Sequence, residues 1–174
     1  MLNINTKAPD FTKIKSYHQG EFKDLSLSDY SGKWLVLFFY PRDFTFVCPT
    51  ELRGFAKYEK DFKDLNCEIL AASTDSEWSH QNWLTRDLPE IKYPVLADTT
   101  QALSRAYGVL NETDGSADRG LFIISPESLI KYIVVSTGSV GRSVTETLRV
   151  LKAIQSGDLC PLDWNEGEKT LGQA

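Results

Sequence analysis

Residues Trp34 to Leu52, WLVLFFYPRDFTFVCPTEL, join a buried strand to a helix through a short polar turn. The seven apolar residues at the start of this stretch, 34–40, are typical of a strand that is buried on both faces. Pro41 ends that strand. Pro49 suits the first turn of a helix, because the N–H group that proline lacks would have no partner there. The stretch therefore predicts a strand, a turn and a helix that starts beside Cys48.

The predicted helix start is a position where a thiol becomes reactive. Apolar residues recur behind it at helical spacing: Leu52, Phe55, Phe62 and Leu65. They predict a helix over 49–65, with Cys48 as its N-cap or first residue. Unsatisfied N–H groups and the positive end of the helix dipole favour the thiolate there, and the thiolate is the nucleophile. A buried core cysteine is the alternative, which the polar loop and the flanking prolines disfavour.

Composition sets the class of protein. The 174 residues are 41% hydrophobic and 11% aromatic, which indicates one domain with a dense core. The net charge of −5 and the absence of a Lys/Arg cluster disfavour a nucleic-acid partner. The N-terminus, MLNINTKAPDF, lacks the pattern of a secretion signal, and no apolar run reaches the length of a membrane span. We therefore expect no membrane association and a cytoplasmic location.

The cysteine count argues for redox chemistry. Three cysteines without a C-x-x-C pair or a Cys/His cluster suit neither a disulfide scaffold nor a zinc site. An odd count with one thiol at a helix start indicates redox chemistry in a reducing compartment. Cys67 opens an apolar strand and is expected to be a buried structural cysteine. Neither His18 nor His80 has ligand-like spacing, and neither is assigned a role.

Strands alternate with helices along the rest of the chain, which predicts an α/β protein with a mixed, mostly parallel sheet flanked by helices. After a short extended N-terminal region, further strands are predicted at 67–73, 94–97, 120–125 and 129–136, the last two joined by a turn at 125–128. Further helices are predicted near 77–87, 100–106 and 143–156. The polar sequence after Gly157 indicates a domain over 1–157 and an irregular tail over 158–174.

Several motifs in one order resemble a known family. Pro41-x-x-x-Thr45-x-x-Cys48 resembles the active-site signature of the peroxiredoxins, and FFYPRDFTFVCPTEL is similar to their typical two-cysteine branch, the alkyl hydroperoxide reductase C type. The resemblance covers nearly the whole chain. Further landmarks are Ala8-Pro9-Asp10-Phe11, Asp118-Arg119-Gly120, Val140-Gly141-Arg142 and Leu159-Cys160-Pro161. It implies a thioredoxin-like fold and a thiol peroxidase that needs no metal, haem or flavin.

The resemblance also implies roles for residues around Cys48. Thr45, three residues before Cys48, would bring its hydroxyl to the sulfur and the peroxide, although a helix-capping threonine is an equal local alternative. Pro41 would shield the thiolate from water, in addition to ending the strand. Glu51 would tether arginines of the site, or it is simply an acid that suits the first turn of a helix.

A thiolate site needs a fixed cation, and arginine does not lose its proton. Composition alone offers seven arginines: Arg42, Arg53, Arg86, Arg105, Arg119, Arg142 and Arg149. The resemblance selects Arg119, which precedes Gly-Leu-Phe at the start of a predicted strand. It also places Arg142 near the site, where the alternative is a loop charge.

The implied reaction reduces hydrogen peroxide and organic hydroperoxides, as antioxidant defence and redox homeostasis require. Cys48 would become a sulfenic acid. Cys160 of the partner subunit would resolve it as an intersubunit disulfide, although a stray exposed thiol is the alternative at that position. A thioredoxin-like protein or a flavoprotein disulfide reductase would restore both thiols. The homodimer is expected to assemble into a decameric ring.

Two rival functions differ in testable ways. A thiol–disulfide oxidoreductase would have a second cysteine at the helix start, and Cys48-Pro49-Thr50-Glu51 lacks it. A holdase-like or signalling ring is a second role that the sequence leaves open.

Overall fold

The computed structural model describes residues 2–173 and contains seven strands and five α-helices in that range. The strands are β1 (Ile14–His18), β2 (Glu21–Leu25), β3 (Trp34–Phe39), β4 (Cys67–Ser73), β5 (Val95–Ala97), β6 (Arg119–Ile124) and β7 (Ile130–Ser136). The helices are α1 (Cys48–Lys57), α2 (Glu59–Asp64), α3 (Glu77–Asp87), α4 (Ala102–Ala106) and α5 (Val144–Ser156), with a 3-10 helix at Leu27–Tyr30. The chain divides into two compact units, which meet in sequence between Arg142 and Ser143.

The sheet belongs to the first unit and has the order β2-β1-β5-β4-β3-β6-β7. A mixed α/β sheet was predicted and is confirmed, but the expectation of mostly parallel pairing is wrong. Only β3–β4 and β4–β5 pair in parallel among the six pairings of the described strands. The four antiparallel pairs are the hairpins β1–β2 and β6–β7, the pair β1–β5 and the pair β3–β6. Hairpins are antiparallel because a parallel pair needs a crossover connection.

The N-terminal hairpin β1–β2 replaces the short extended region that the sequence predicted. Its two-residue loop is Gln19-Gly20, with φ of 49° and 92°. Positive φ at both central residues matches the twist of a tight hairpin. Glycine adopts that conformation readily, whereas glutamine is an unusual residue there, so the turn signal in the sequence is weak.

Strand β3 lies at the centre of the core. Its residues from Leu35 to Phe39, together with Tyr40, are at most 1% exposed, so both faces of the strand are covered, and β4 and β6 pair with its two edges. The ring of Phe38 stacks on Phe55 of α1 at 4.3 Å between centroids. Each such buried side chain contributes about 1.5–3 kcal/mol of transfer free energy. The packing therefore holds the start of α1 firmly against the end of β3.

The helix predicted over 49–65 is divided at Tyr58. Tyr58 has φ of −103° and ψ of 10°, and its N–H donates to the carbonyl oxygen of Phe55 at 3.2 Å. The apolar residues before and after Tyr58 recur at helical spacing, so the sequence pattern does not reveal the one-residue break between α1 and α2. The other predicted helices and strands agree with the structure to within two residues at each end. A hydrogen bond from Ser128 N to Ser125 O closes the predicted turn at 125–128.

The second unit consists of α5 and the residues after it. Ser143 caps α5 by accepting a hydrogen bond from Glu146 N, and Gly157 ends it with φ of 72°. The segment beyond is folded, whereas an irregular tail was predicted. Leu159 N donates to Gly172 O at 2.8 Å, and Leu171 N donates to Leu159 O at 2.9 Å. A domain boundary at residue 157 stays a prediction.

No helix within residues 2–173 is long and apolar enough to cross a membrane.

Candidate active site

Cys48 is the first residue of α1, with Val47 as the N-cap and Pro49 next in the helix. The side chain is fully buried, and the thiol is free. In general, burial disfavours a charged group, whereas the positive end of a helix and a nearby cation both favour an anion. The structure supplies that cation from another strand.

Arg119 is the cation beside Cys48. Its Nη1 atom lies 3.5 Å from Cys48 Sγ, and its Nε atom donates to Gly138 O at 2.8 Å. The antiparallel register of β3 and β6, with Phe38 opposite Leu121, brings the start of β6 to the end of β3. The arginine is 3% exposed, so little water screens its charge.

Glu51, one helical turn after Cys48, holds two arginines in place. Its carboxylate accepts from Arg119 Nη1 at 2.6 Å and from Arg142 N, Nε and Nη2 at 2.7, 2.7 and 2.9 Å. Burial raises the pKa of Glu51, but the hydrogen bonds and charge of Arg142, with the charge of Arg119, outweigh it and lower the pKa from 4.5. The tether predicted for Glu51 is therefore formed, and Arg142 Nη1 also donates to Gly120 O.

The three-residue spacing predicts that the Thr45 hydroxyl meets the Cys48 sulfur. In the structure Thr45 lines the same cleft, but its hydroxyl bonds to a backbone carbonyl instead. The helix starts at Cys48, so Thr45 lies in a loop, where its hydroxyl donates to Arg42 O at 2.9 Å. Phe44, with φ of 57°, turns the chain just before it. Since the hydroxyl proton is engaged by a carbonyl, the oxygen lone pairs remain free to accept from a ligand.

These residues surround one cleft of about 470 Å3. Four of the predicted site residues line it: Pro41, Thr45, Cys48 and Arg119. Its opposite wall is polar and includes Asn111, Asp114, Ser116 and Asp118. Neither this wall nor the Gly138 carbonyl that orients Arg119 was predicted. No sequence spacing relates them to Cys48, because they lie on loops that tertiary folding brings together.

Comparison with known proteins identifies the family. The model of the AhpC/TSA family matches residues 4–133. A thioredoxin peroxidase of Trypanosoma brucei rhodesiense is 46% identical, over 97% of this chain and 89% of its own. Peroxiredoxin prdx-2 of Caenorhabditis elegans is 49% identical, over 97% and 88%. The crystal structure of Enterococcus faecalis AhpC has a TM-score of 0.88 at 42% identity, covering 92% of this chain and all of that one.

The chain belongs to the AhpC/TSA family of peroxiredoxins. The predicted thioredoxin-like α/β fold and the predicted class of enzyme, a thiol peroxidase, are thereby confirmed.

The other two cysteines of this peroxiredoxin lie in different surroundings. Cys67 is 1% exposed at the start of β4, and burial raises the pKa of its thiol far above the ordinary value, which suits an inert core residue. Cys160 lies partly buried in the second unit, where its thiol donates to Ala153 O and Asp158 O at 3.7 Å. Ala153 belongs to the C-terminal part of α5.

Within residues 2–173, no group of three or more His, Cys, Asp or Glu side chains is arranged to hold a metal ion. The His18 and His80 side chains are separate: His18 contacts Lys92 O, whereas His80 is buried beside Asp43.

Replacement of Glu51 by glutamine is expected to destabilise the protein by about 3–5 kcal/mol at neutral pH, because it leaves two buried arginines without their anion. The lowered pKa of Glu51 means that its contribution is complete above about 4.5 and is lost as the pH falls through the folded-state value. Urea unfolding at pH 7 and in acid measures both effects. The difference in the free energy of unfolding between wild type and Glu51→Gln should become smaller in acid.

Glu112→Gln is the matched control, since Glu112 pairs with Arg105 on the surface, where solvent screens the salt bridge and its loss should change the stability little. Equal losses in the two variants would show that the buried tether does not stabilise the fold.

Proposed function

We propose that this peroxiredoxin reduces hydrogen peroxide and organic hydroperoxides with the Cys48 thiolate. The 3.5 Å contact between Arg119 Nη1 and Cys48 Sγ carries the proposal, because it places a fixed cation on a sulfur at the positive end of a helix. The cleft above them is large enough for a small hydroperoxide.

The first step transfers one oxygen to sulfur. The thiolate attacks the terminal peroxide oxygen, an S–O bond forms as the O–O bond breaks, and Cys48 becomes a sulfenic acid. The leaving oxygen takes up a proton and departs as water or alcohol. Arg119 stabilises the negative charge that moves along the S–O–O axis, and the Thr45 oxygen accepts a hydrogen bond from the peroxide. Pro41, on the cleft wall, restricts water at the sulfur.

Glu51 and Arg142 act on the reaction through Arg119, which they hold in place. The carboxylate binds Arg119 and Arg142 together, and Arg142 also donates to the backbone of Gly120 at the start of β6. The guanidinium of Arg119 is therefore held before peroxide arrives. An electrostatic site that needs no reorganisation during the reaction is the most effective kind.

The second step joins two cysteines. Cys160 of the partner subunit condenses with the Cys48 sulfenic acid, forming a disulfide and releasing water. A dithiol protein then reduces the disulfide in two thiol–disulfide exchanges. The relative from Trypanosoma brucei rhodesiense is named a thioredoxin peroxidase, so a thioredoxin-like donor is our first choice, and a flavoprotein disulfide reductase is the second.

The position of β7 at the edge of the sheet supports the proposed homodimer. β7 is the last strand of the sheet and, among the described strands, pairs only with β6. N-terminal residues cover the beginning of its outer edge, since Ile130 N donates to Thr6 O and Asn5 N donates to Ile130 O. In the proposed dimer, a second copy packs along the rest of that edge across a two-fold axis. Assembly of dimers into a decameric ring and the cytoplasmic location are part of the same proposal.

Peroxide treatment is expected to convert the protein into a disulfide-linked dimer on a non-reducing denaturing gel. Cys160→Ser should not form this dimer, because its sulfenic acid has no resolving thiol. Cys67→Ser is the control and should dimerise as wild type does, since Cys67 is buried in β4. An oxidised monomer that carries a Cys48–Cys160 bond would contradict resolution between subunits.

Stopped-flow mixing tests the function itself. Reduced protein should react with hydrogen peroxide and with an organic hydroperoxide in a second-order step, and a thioredoxin or flavoprotein system should sustain turnover. Failure of both peroxides to oxidise the protein would refute the proposal.

A further inference from the structure

A buried contact between Asp43 and His80 anchors the loop that leads to Cys48 and has no part in the reaction described above. The loop, residues 41–47, leads from β3 to Cys48, and we call it the cysteine loop. Within it, the Asp43 side chain is 1% exposed and lies 2.8 Å from Nδ1 of His80, whose side chain is fully buried in α3. Burying an aspartate against a histidine costs desolvation free energy, so a contribution to stability does not by itself explain the contact.

The Asp43 carboxylate is fully hydrogen-bonded. Oδ1 accepts from the Tyr40 hydroxyl at 2.7 Å, and Oδ2 accepts from the Ser79 hydroxyl at 2.7 Å as well as from His80. Burial, followed by the charge of Asp43, raises the pKa of Tyr40 well above 10, so the phenol remains a donor. The backbone N–H of Asp43 donates to the Asp75 carboxylate at 2.9 Å. Asp43 is therefore fixed through both its side chain and its backbone.

His80 links this carboxylate to the sheet. Its Nε2 atom lies 3.1 Å from Leu96 O of β5, while Nδ1 faces Asp43. The two nitrogens of one ring therefore contact the cysteine loop and β5, and the rigid ring of His80 connects these two parts of the fold.

The same face of α3 also packs against Phe44, the next residue of the cysteine loop. Trp83 contacts the Phe44 ring at 5.8 Å between centroids, and the Arg86 guanidinium lies 5.2 Å from the centre of the same ring. His80, Trp83 and Arg86 follow one another at intervals of three residues along α3, and Ser79 lies four residues before Trp83, which places them on one side of the helix. The positive φ of Phe44 then turns the chain toward Thr45.

We infer that Asp43, clamped by His80 and Ser79, is a positioning residue for peroxide reduction. It sits two residues after Pro41 and two before Thr45, so it sets where these two residues stand at the mouth of the cleft. It contacts neither the sulfur nor the cation, which distinguishes its effect from that of Arg119. The inference rests on the proposed peroxidase function and extends it to α3.

The test compares two reactions of the same thiol in Asp43→Asn, which preserves the shape of the side chain. The second-order rate constant with hydrogen peroxide should fall roughly tenfold or more, because misplaced contact groups cost rate steeply. Alkylation of Cys48 by iodoacetamide needs the thiolate but not the peroxide geometry, so its rate should stay close to wild type.

Asp98→Asn is the matched control. Asp98 is also buried, and it accepts from Leu103 N, Ser104 N and Ser104 Oγ at the start of α4. Its replacement removes a comparable buried carboxylate away from the cysteine loop, and both rates should remain unchanged. A fall of the peroxide rate in Asp98→Asn equal to that in Asp43→Asn would mean that general loss of stability, not position, slows the reaction.

Ser79→Ala is the second variant, to be used if Asp43→Asn does not fold. It removes one hydrogen bond to Asp43 and leaves the contact between Asp43 and His80. We therefore expect a smaller loss of the peroxide rate and a normal rate of alkylation. Unchanged peroxide rates in the folded variants overturn the inference, and so does an equal loss of both rates. Wild-type protein that does not react with peroxide would instead refute the peroxidase function.

Discussion

Cys48→Ser is expected to abolish peroxide consumption. The serine hydroxyl is not ionised near neutral pH and lacks the nucleophilicity of a thiolate, so no sulfenic acid forms. Arg119 would remain in place with its hydrogen bonds to Glu51 and Gly138, which leaves the fold intact. Loss of peroxide followed by a colorimetric assay, with a thioredoxin system supplying electrons, measures the effect.

Cys67→Ser is the internal control for that result. Cys67 is as buried as Cys48, but burial raises the pKa of its thiol, and no arginine within residues 2–173 contacts it. The variant should consume peroxide at nearly the wild-type rate. An inactive Cys67 variant beside an active Cys48 variant would reverse the assignment of the nucleophile.

Arg119→Lys is expected to slow the reaction with peroxide by roughly 10²-fold or more, the loss typical of removing one donor from an electrostatic site. Lysine keeps the charge but carries a single nitrogen. It would have to replace contacts that Arg119 makes with two nitrogens, Nη1 to Cys48 and Glu51 and Nε to Gly138. Stopped-flow rates at pH 7 with hydrogen peroxide measure the loss.

Arg105→Lys serves as the comparison for Arg119→Lys, because Arg105 pairs with Glu112 on the surface and away from the cleft. Its rate should match wild type. If Arg119→Lys also matched wild type, Arg119 would have no part in the chemistry, and the 3.5 Å contact would be incidental.

Replacing Arg119 and replacing Asp43 should change the rates of alkylation and of peroxide reduction in different ways. The arginine contacts the sulfur, so its replacement should slow both alkylation and peroxide reduction. The Asp43–His80 pair acts through the backbone of the cysteine loop, so its loss should slow peroxide reduction alone. Measuring both reactions in both variants separates stabilisation of the thiolate from orientation of the peroxide.

Much of the region around Cys48 could be predicted from local sequence. Seven apolar residues between Trp34 and Tyr40 can only be a buried element, and the prolines on either side of Cys48 mark where it ends and the helix starts. The N-terminal hairpin was missed, since Gln19-Gly20 is a weak turn signal. The folded segment after Gly157 was missed too, because Leu159 pairs with Leu171 and Gly172 at the far end of the chain.

The sequence by itself determined the strand, the turn and the start of the helix around Cys48, because periodicity, proline geometry and helix ends depend on neighbouring residues. Resemblance to a family, not spacing, selected Arg119 among the arginines. Tertiary structure alone decided that Glu51 binds both Arg119 and Arg142. It also decided that His80, to which the sequence assigned no role, is buried against Asp43. Such contacts join distant residues, and they follow from strand register and core packing, which no local pattern encodes.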